Sequence, residues 1–422
     1  MNAKLLNKDF GLLWLGMAVS QLGVGAGNIG LMWWIQSTTG SALLLGAMAM
    51  VRTIVSVALS PFSGVVADRF SKKAIIVLGD VFRGLFYGIL GWLIYTNQLT
   101  PAVFLILVGC NAICSTFFNP AVTATVPLLV SKADLPRANS LQQITSNLVT
   151  IAGYASGGIL VALLGVPMLL AINAAAFLLS ALSEMSIHIP PVVTQTGAEK
   201  THFWLDLKEG FNYARQNRVL IEIMKVAAVL NFVWAPTFIL LPKFVQEHLG
   251  ASSELYGYLL AAFTVGTLCA SLLIAFTKVV ERNLWLIVHS ITPQAIAFII
   301  ATLLPTHWHA ARIPFFLFMG FLNGVVNIYF GVVVQRTTAP EHLGRVAGLI
   351  NTMTGALQPL SQGLTGYLGD IFSIPVIYVV ANSLEALCGI RFSHIPNLRS
   401  YLAGEDKAAI QGAPAALSGA ND

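Results

Sequence analysis

The sequence predicts an all-α membrane protein, with twelve transmembrane helices arranged as two pseudo-symmetric six-helix bundles. Its 422 residues are 56% hydrophobic and only 10% charged, and the mean hydropathy is +0.77. An ordinary soluble domain carries about 25% charged residues. This chain therefore has too little charge to cover a soluble surface, and its apolar residues are concentrated in long segments.

Twelve of these segments approach the length of about 20 apolar residues that crosses a bilayer. Gly, Pro and polar turn residues separate most of them from one another. The segments lie at roughly 10–36, 41–66, 74–95, 101–126, 138–163, 166–187, 219–246, 254–278, 283–304, 312–335, 346–369 and 374–395.

A polar break divides these spans six and six. It predicts an N-terminal bundle at 1–187, a cytoplasmic linker at 188–218 and a C-terminal bundle at 219–395. The tail at 396–422 has few large apolar residues, so we predict that it is disordered. Apolar residues at helical spacing in the linker predict a short amphipathic helix on the cytoplasmic face. They are Trp204, Leu207, Phe211 and Ala214.

The Lys and Arg residues predict the orientation of the chain, because cytoplasmic loops of membrane proteins carry an excess of them. With the N-terminus inside, nearly all loop cations fall on the cytoplasmic side and only Lys243 and Arg312 fall outside. Both termini are therefore predicted to be cytoplasmic. These loops account for the formal net charge of +5, and we expect no nucleic-acid partner.

A faint repeat relates the two halves. Arg137 follows the fourth span as Arg345 follows the tenth, and the same offset of 208 residues places Gly158 on Gly366. Two parallel six-helix repeats predict a binding site between the halves, near the middle of the membrane.

A charged turn joins the second and third spans in the pattern Gly64-x-x-x-Asp68-Arg69-x-x-Lys72-Lys73. Charge inside lipid is costly, so this turn must lie at a water interface. Gly64 permits close approach of two helix ends, and Asp68 can accept from N–H groups at a helix N-terminus. We favour a conformational gate that forms in one state and releases in another. The alternative is a basic loop that only sets orientation.

This turn resembles the signature loop of the major facilitator superfamily, and the resemblance covers nearly the whole chain. Within it the chain looks most like the drug–proton antiporters of the macrolide-efflux type, a branch that also includes siderophore exporters. The segments that support this narrower resemblance are 39–42, 119–121, 211–213 and 341–346. It implies the major facilitator fold and a multi-pass protein of the bacterial cytoplasmic (inner) membrane. It also implies export by alternating access, driven by the proton gradient without a cofactor.

A glycine-rich motif in the fifth span, with Gly153, Gly157 and Gly158, resembles the antiporter signature of the superfamily. Tyr154 stands where that signature has a proline. Small residues at this spacing also let two helices pack closely, whatever the transport chemistry. Both interpretations stay open.

Ionisable residues inside the spans are the candidates for ion coupling, because charge in a membrane is rare and usually functional. Arg52 lies in the second span, Asp80 and Arg83 are three residues apart in the third, and Glu385 lies in the twelfth. We favour a structural brace for the Asp80–Arg83 pair over a proton-linked switch. Glu385 has no local partner, and Glu184 is predicted to be interfacial.

The superfamily lines its cavity with spans one, four, seven and ten, and here these spans carry amides and aromatic side chains. They suit a large amphipathic molecule, although each amide could instead pair across helices. We expect a monomer whose partners are this substrate, protons and membrane lipids. The cavity candidates are Gln21, Asn28, Asn111, Asn231, Trp234, Asn323 and Asn327.

Other function classes have little support in the sequence. The four cysteines lie in apolar segments and are predicted to be packing residues, so no metal site is expected. The absence of a GxxxxGK[ST] loop argues against direct ATP coupling. The alternative from another class is a membrane enzyme or sensor that transports nothing. His202 and Asp206 have an HxxxD spacing, but no titratable cluster supports them, and we predict that the protein is not an enzyme.

Overall fold

The computed structural model describes residues 7–189, 211–212, 215, 218–277, 286–338 and 343–394. This part of the chain is helical throughout and contains no strand. Most of the predicted linker helix and the whole predicted tail lie outside the described residues. In chain order the helices are α1 (Lys8–Thr39), α2 (Ala42–Arg69), α3 (Lys72–Tyr95), α4 (Pro101–Leu129), α5 (Leu135–Met185), α6 (Arg218–Ile239), α7 (Leu241–Lys243), α8 (Ser253–Phe276), α9 (Leu286–Leu303), α10 (Arg312–Thr337), α11 (Leu343–Ile371) and α12 (Ile374–Ser393).

Nine of the described helices are long and apolar enough to cross a membrane. One of them, α5, is kinked at Gly165, whose φ of 76° is in the left-handed region that glycine adopts readily. The two arms of α5 on either side of this kink form two spans. The described part of α9 is shorter, and α11 is more polar because its sequence contains several amides and hydroxyls. With these, the chain is an all-α membrane protein of twelve spanning helices.

Short turns between the first helices follow from cap residues. Gly40 ends α1 in a left-handed conformation, with φ 62°. The hydroxyls of Ser41, Ser71 and Thr100 then accept N–H groups of the first turns of α2, α3 and α4. Each cap satisfies a backbone donor that the helix start would leave unpaired.

The helices pack as two bundles. In the first half, α5 contacts α1 and α3, and α4 contacts α2 and α3. In the second half, α8 packs on α10, α9 packs on α10 and α12, and α6 packs on α11 and α12. The halves meet chiefly along two helix pairs, α2 with α11 and α5 with α8.

The predicted span 219–246 is confirmed as a spanning segment at Leu220–His248, but it is not one regular α-helix. After α6 the chain forms the one-turn α7 and then a π-helical turn at Phe244–His248. Pro242 has no N–H to donate, so the regular ladder of α-helical hydrogen bonds is interrupted at this point. The break brings Lys243 and Glu247 into contact with the C-terminal end of α1, where they bond to Gly40 and Gln36.

Candidate functional site

The two halves are in backbone contact at one end of the molecule, which we call the closed end. A Cβ added to Gly46 of α2 would lie 2.5 Å from the carbonyl oxygen of Gln362 and 2.9 Å from the Cα of Gly366. On the other seam, a Cβ on Gly158 of α5 would lie 2.5 Å from the carbonyl oxygen of Ser253. Side chains at these glycines would force the halves apart.

The glycines of the antiporter-like motif have two different neighbours. A Cβ on Gly153 would lie 2.9 Å from the carbonyl oxygen of Leu22, and one on Gly157 would lie 2.8 Å from the Cα of Ala26, both in α1. Gly158 instead accepts a hydrogen bond of 2.9 Å from the Ser253 hydroxyl in the other half. The motif therefore packs α1 within its own bundle and also joins the bundles.

A polar cluster, which we call the closed-end latch, joins the halves beside this seam. The Asp370 carboxylate at the end of α11 accepts from the backbone N–H groups of Ala42 at 2.6 Å and Leu43 at 3.0 Å. Lys243 donates to the Gly40 carbonyl at 2.7 Å and to Asp370 at 3.3 Å. The side chains of Gln36 and Glu247 add a hydrogen bond of 2.7 Å across the halves. A carboxylate at a helix N-terminus is stabilised by the unpaired N–H groups and the helix dipole.

The seam between α2 and α11 loosens away from the Gly46 contact. Along the same antiparallel register, a Cβ on Gly355 would lie 3.3 Å from Val57. Further on, the register pairs Gly64 with Gly348, and neither has a described atom within 4 Å of its Cβ position. Among the described atoms, the close contact of this seam therefore ends before the charged turn, and we call this the open end.

A cavity of about 380 Å³ lies within the second half, between α6, α9, α10, α11 and α12. Its wall brings together four of the predicted cavity residues, Asn231, Trp234, Asn323 and Asn327, and adds Glu385. The Asn327 amide donates to the Asn323 side-chain oxygen at 2.8 Å, so two of the amides also pair with each other. The wall is a mixture of amides, aromatic rings and aliphatic side chains, as amphipathic ligands require.

Glu385 has a partner that the sequence did not indicate. The Gln294 side chain of α9 donates to its carboxyl oxygen at 2.8 Å, and Glu385 is only 4% exposed. No cation in the described part of the chain forms an ion pair with it. Glu385 is therefore a buried acid at the cavity wall, held by a neutral amide.

The predicted cavity residues of the first half do not line this cavity. Arg52 donates to the Asn28 side-chain oxygen at 2.7 Å, which joins α2 to α1. Asn111 is buried on α4, and Gln21 is half-buried on α1. The structure thus places four of the seven cavity candidates at one wall and three in the other bundle.

Asp80 and Arg83 form a buried ion pair on α3. The Arg83 guanidinium also donates to the Gly79 carbonyl at 3.2 Å and lies 3.8 Å from the centre of the Phe118 ring and 4.9 Å from that of Phe177. The arginine is thus held by a carboxylate, a carbonyl and two aromatic rings. This geometry is that of a brace between α3, α4 and α5.

Glu184 lies one residue before the end of α5 and is buried between helices, while its predicted place at the membrane interface stays a prediction. It is 1% exposed, and its charged neighbours are Asp80 and Arg83. The sequence did contain a signal for its burial. Phe177, Ser180 and Glu184 recur at helical spacing, and all three lie on the buried face of α5.

Only two residues separate α2 from α3, so most of the charged turn lies within the ends of these two helices. Gly64 and Arg69 are exposed and Lys72 is half-buried, while Lys73 donates to the carbonyl of Met185 at 2.6 Å. This bond ties the start of α3 to the end of α5. The side chain of Asp68 lies outside the described part, so its role as a gate stays a prediction.

Two bundles of apolar helices that are in close contact at one end, with a mixed polar and apolar cavity in the second bundle, are the architecture of a multi-pass membrane transporter. The sequence matches the model of the Major Facilitator Superfamily over residues 13–361. The chain belongs to this superfamily.

Individual relatives are more distant. The chain is 23% identical to Macrolide efflux protein A of Streptococcus pyogenes over 381 residues, which cover 89% of this chain and 93% of that protein. It is 27% identical to the Multidrug efflux pump Tap of Mycolicibacterium fortuitum over 399 residues, covering 90% and 94% of the two chains. Among solved structures, the nucleoside transporter NupG superposes with a TM-score of 0.74 at 15% identity, over 93% of this chain and 98% of that one. This last similarity concerns the fold alone.

Proposed function

We propose that this transporter is a secondary active exporter of amphipathic small molecules, of the macrolide or multidrug efflux type, that works by alternating access. The observation that carries the proposal is the contrast between the two ends. The halves are joined by the closed-end latch and by backbone contacts at Gly46 and Gly158, while no described atom lies within 4 Å of the Cβ positions of Gly64 and Gly348. Two rigid bundles with one sealed end are the arrangement that rocking around a central site requires.

The cavity supports the proposed cargo. Trp234 is fixed by ring contacts with Phe238 and Phe263, at centroid distances of 5.6 and 6.2 Å. Asn323 and Asn327 supply hydrogen-bonding groups beside these rings. Such a wall offers apolar area with a few orienting contacts, which suits a drug-like molecule better than a sugar phosphate. The names of the macrolide and multidrug relatives agree with this choice, and siderophore export is the alternative within the family.

We further propose that the coupling ion is the proton and that Glu385 contributes to coupling. Its carboxyl lies at the cavity wall, it is nearly dry, and its described partner is an amide rather than a cation. A carboxylate in such a place is costly unless it binds a proton or a cationic group of the cargo. No cofactor is required, because the proton gradient supplies the free energy.

The loop cations give the proposed orientation. Arg69, Lys72 and Lys73 lie at the open end, and the positive-inside rule places that end in the cytoplasm. Both termini are then cytoplasmic, the membrane is the bacterial inner membrane, and the closed end faces outward. We propose that the unit is a monomer, because each chain contains both bundles and its own cavity.

The test is transport by the purified protein in liposomes with an imposed pH gradient. The panel contains macrolides, a cationic dye and an iron-free siderophore, each followed with and without a protonophore. We expect movement of an amphipathic substrate that the protonophore abolishes. Glu385→Gln should flatten the pH dependence, whereas the matched control Glu254→Gln, outside the cavity wall, should not.

Two results would contradict the proposal. Absence of transport for the whole panel, with the protein correctly inserted, would favour the non-transporting alternative. Movement of the siderophore alone would replace the drug-efflux assignment with siderophore export.

A further inference from the structure

The first half contains a second buried group of ionisable side chains, away from the cavity wall. Asp80, Arg83 and Glu184 are 0%, 6% and 1% exposed. They are contributed by α3 and α5, and Ser180 adds a hydroxyl that neighbours both carboxyl groups. Two carboxyl groups and one guanidinium therefore lie close together in a dry place.

The hydrogen bonds distinguish the two acids. Asp80 holds Arg83 through a direct ion pair. Glu184 has only the Ser180 hydroxyl, at 3.4 Å, as a hydrogen-bond donor in the described part of the chain. The second carboxyl oxygens of Asp80 and Glu184 are both buried with no described partner. These oxygens lack the donors that two ionised carboxylates would need.

The charge of the group leads to the same conclusion. With both acids ionised, the three side chains would carry one uncompensated negative charge inside the bundle. A buried unpaired charge costs several kcal/mol, and such groups neutralise instead. Since Arg83 is already paired with Asp80, the group that neutralises is Glu184.

We propose that Glu184 is a proton-binding residue of the first half, occupied by a proton while Asp80 is paired with Arg83. The proton binds a Glu184 carboxyl oxygen from water. It returns to water in a state in which water reaches the group and solvates the negative charge that is left. Its role in coupling rests on the proposed proton antiport, but its occupancy does not.

The surroundings connect this proton site to moving parts. Gly16 of α1 lies against it, because a Cβ there would be 2.9 Å from the Ser180 hydroxyl and 3.4 Å from the Glu184 carboxyl. Lys73, in the charged turn, holds the carbonyl of Met185, next to Glu184 in the chain. The other titratable groups facing the cluster are Tyr87 on α3 and Cys114 on α4. Protonation of Glu184 is therefore placed to act on both α1 and the charged turn.

Infrared spectroscopy of the full-length protein in liposomes tests the occupancy directly. The spectrum of wild type minus that of Glu184→Gln should contain the carbonyl band of a protonated carboxyl group at neutral pH. The band should disappear at alkaline pH and should not respond to sodium at constant pH. Glu385→Gln is the matched control and should leave it unchanged.

A second variant keeps the test decisive if Glu184→Gln does not fold. Asp80→Asn removes the partner of Arg83, so Glu184 should ionise and the band should be lost at neutral pH. Both measurements are made in the Glu385→Gln background, so that the other buried acid adds no band. Absence of a protonated band there, or its persistence after Asp80→Asn, would overturn the proposal. If the band behaves as expected but transport does not depend on pH, Glu184 binds a proton and only its role in coupling is rejected.

Discussion

The closed-end latch offers the sharpest prediction, because its bonds exist only while the halves are together at that end. Asp370→Ala removes the acceptor for two backbone N–H groups at the start of α2 and one of the acceptors of Lys243. Hydrogen bonds to charged groups contribute about 1.5–3 kcal/mol each. The Asp370 side chain remains 34% exposed, so water recovers part of this energy. We expect a net loss of about 2–3 kcal/mol.

That loss corresponds to an about 30-fold to 150-fold shift of the equilibrium away from the closed-end state. The assay is pulsed electron resonance on spin labels at Thr38 and Ser373, which lie at this end in opposite halves, in a cysteine-free background. Asp370→Ala should move the distance distribution to longer values. Lys243→Ala should do so less, since the backbone bonds of Asp370 remain. An unchanged distribution in Asp370→Ala would refute the latch.

Three further predictions concern transport. Asp68→Asn should cripple transport while the protein still inserts, and normal transport would reduce the charged turn to an orientation signal. Neutralising Glu385 should change the pH dependence of efflux, whereas Asp80→Asn should change it only through its effect on Glu184. If neither variant changes the pH dependence, other residues must couple the proton to transport. Gly158→Leu should abolish transport by overpacking the seam, at a cost of about 1–3 kcal/mol. Gly11→Leu is its control, because the Cβ position of Gly11 has no described atom within 4 Å.

Local sequence determined much of the architecture. Apolar segment length and the scarcity of charge predicted twelve spans. This prediction is possible because the backbone N–H and C=O groups of a segment in a bilayer must be hydrogen-bonded within that segment, as they are in a helix. Cap residues such as Ser41 and Thr100 act within their own first turns, so they too can be identified from the sequence alone. The ion pair of Asp80 and Arg83 was expected for the same reason, since three residues along a helix place side chains together.

Only the tertiary structure decided which distant residues meet. Asp370 caps a helix that begins 328 positions earlier in the chain, and Glu385 finds its amide 91 positions away. The burial of Glu184 was not predicted, because it depends on the packing of α1 and α3 around α5, and hydropathy along one segment does not specify that packing. Sequence periodicity determines which face of a helix is buried, whereas the partner on that face is determined by how the helices pack.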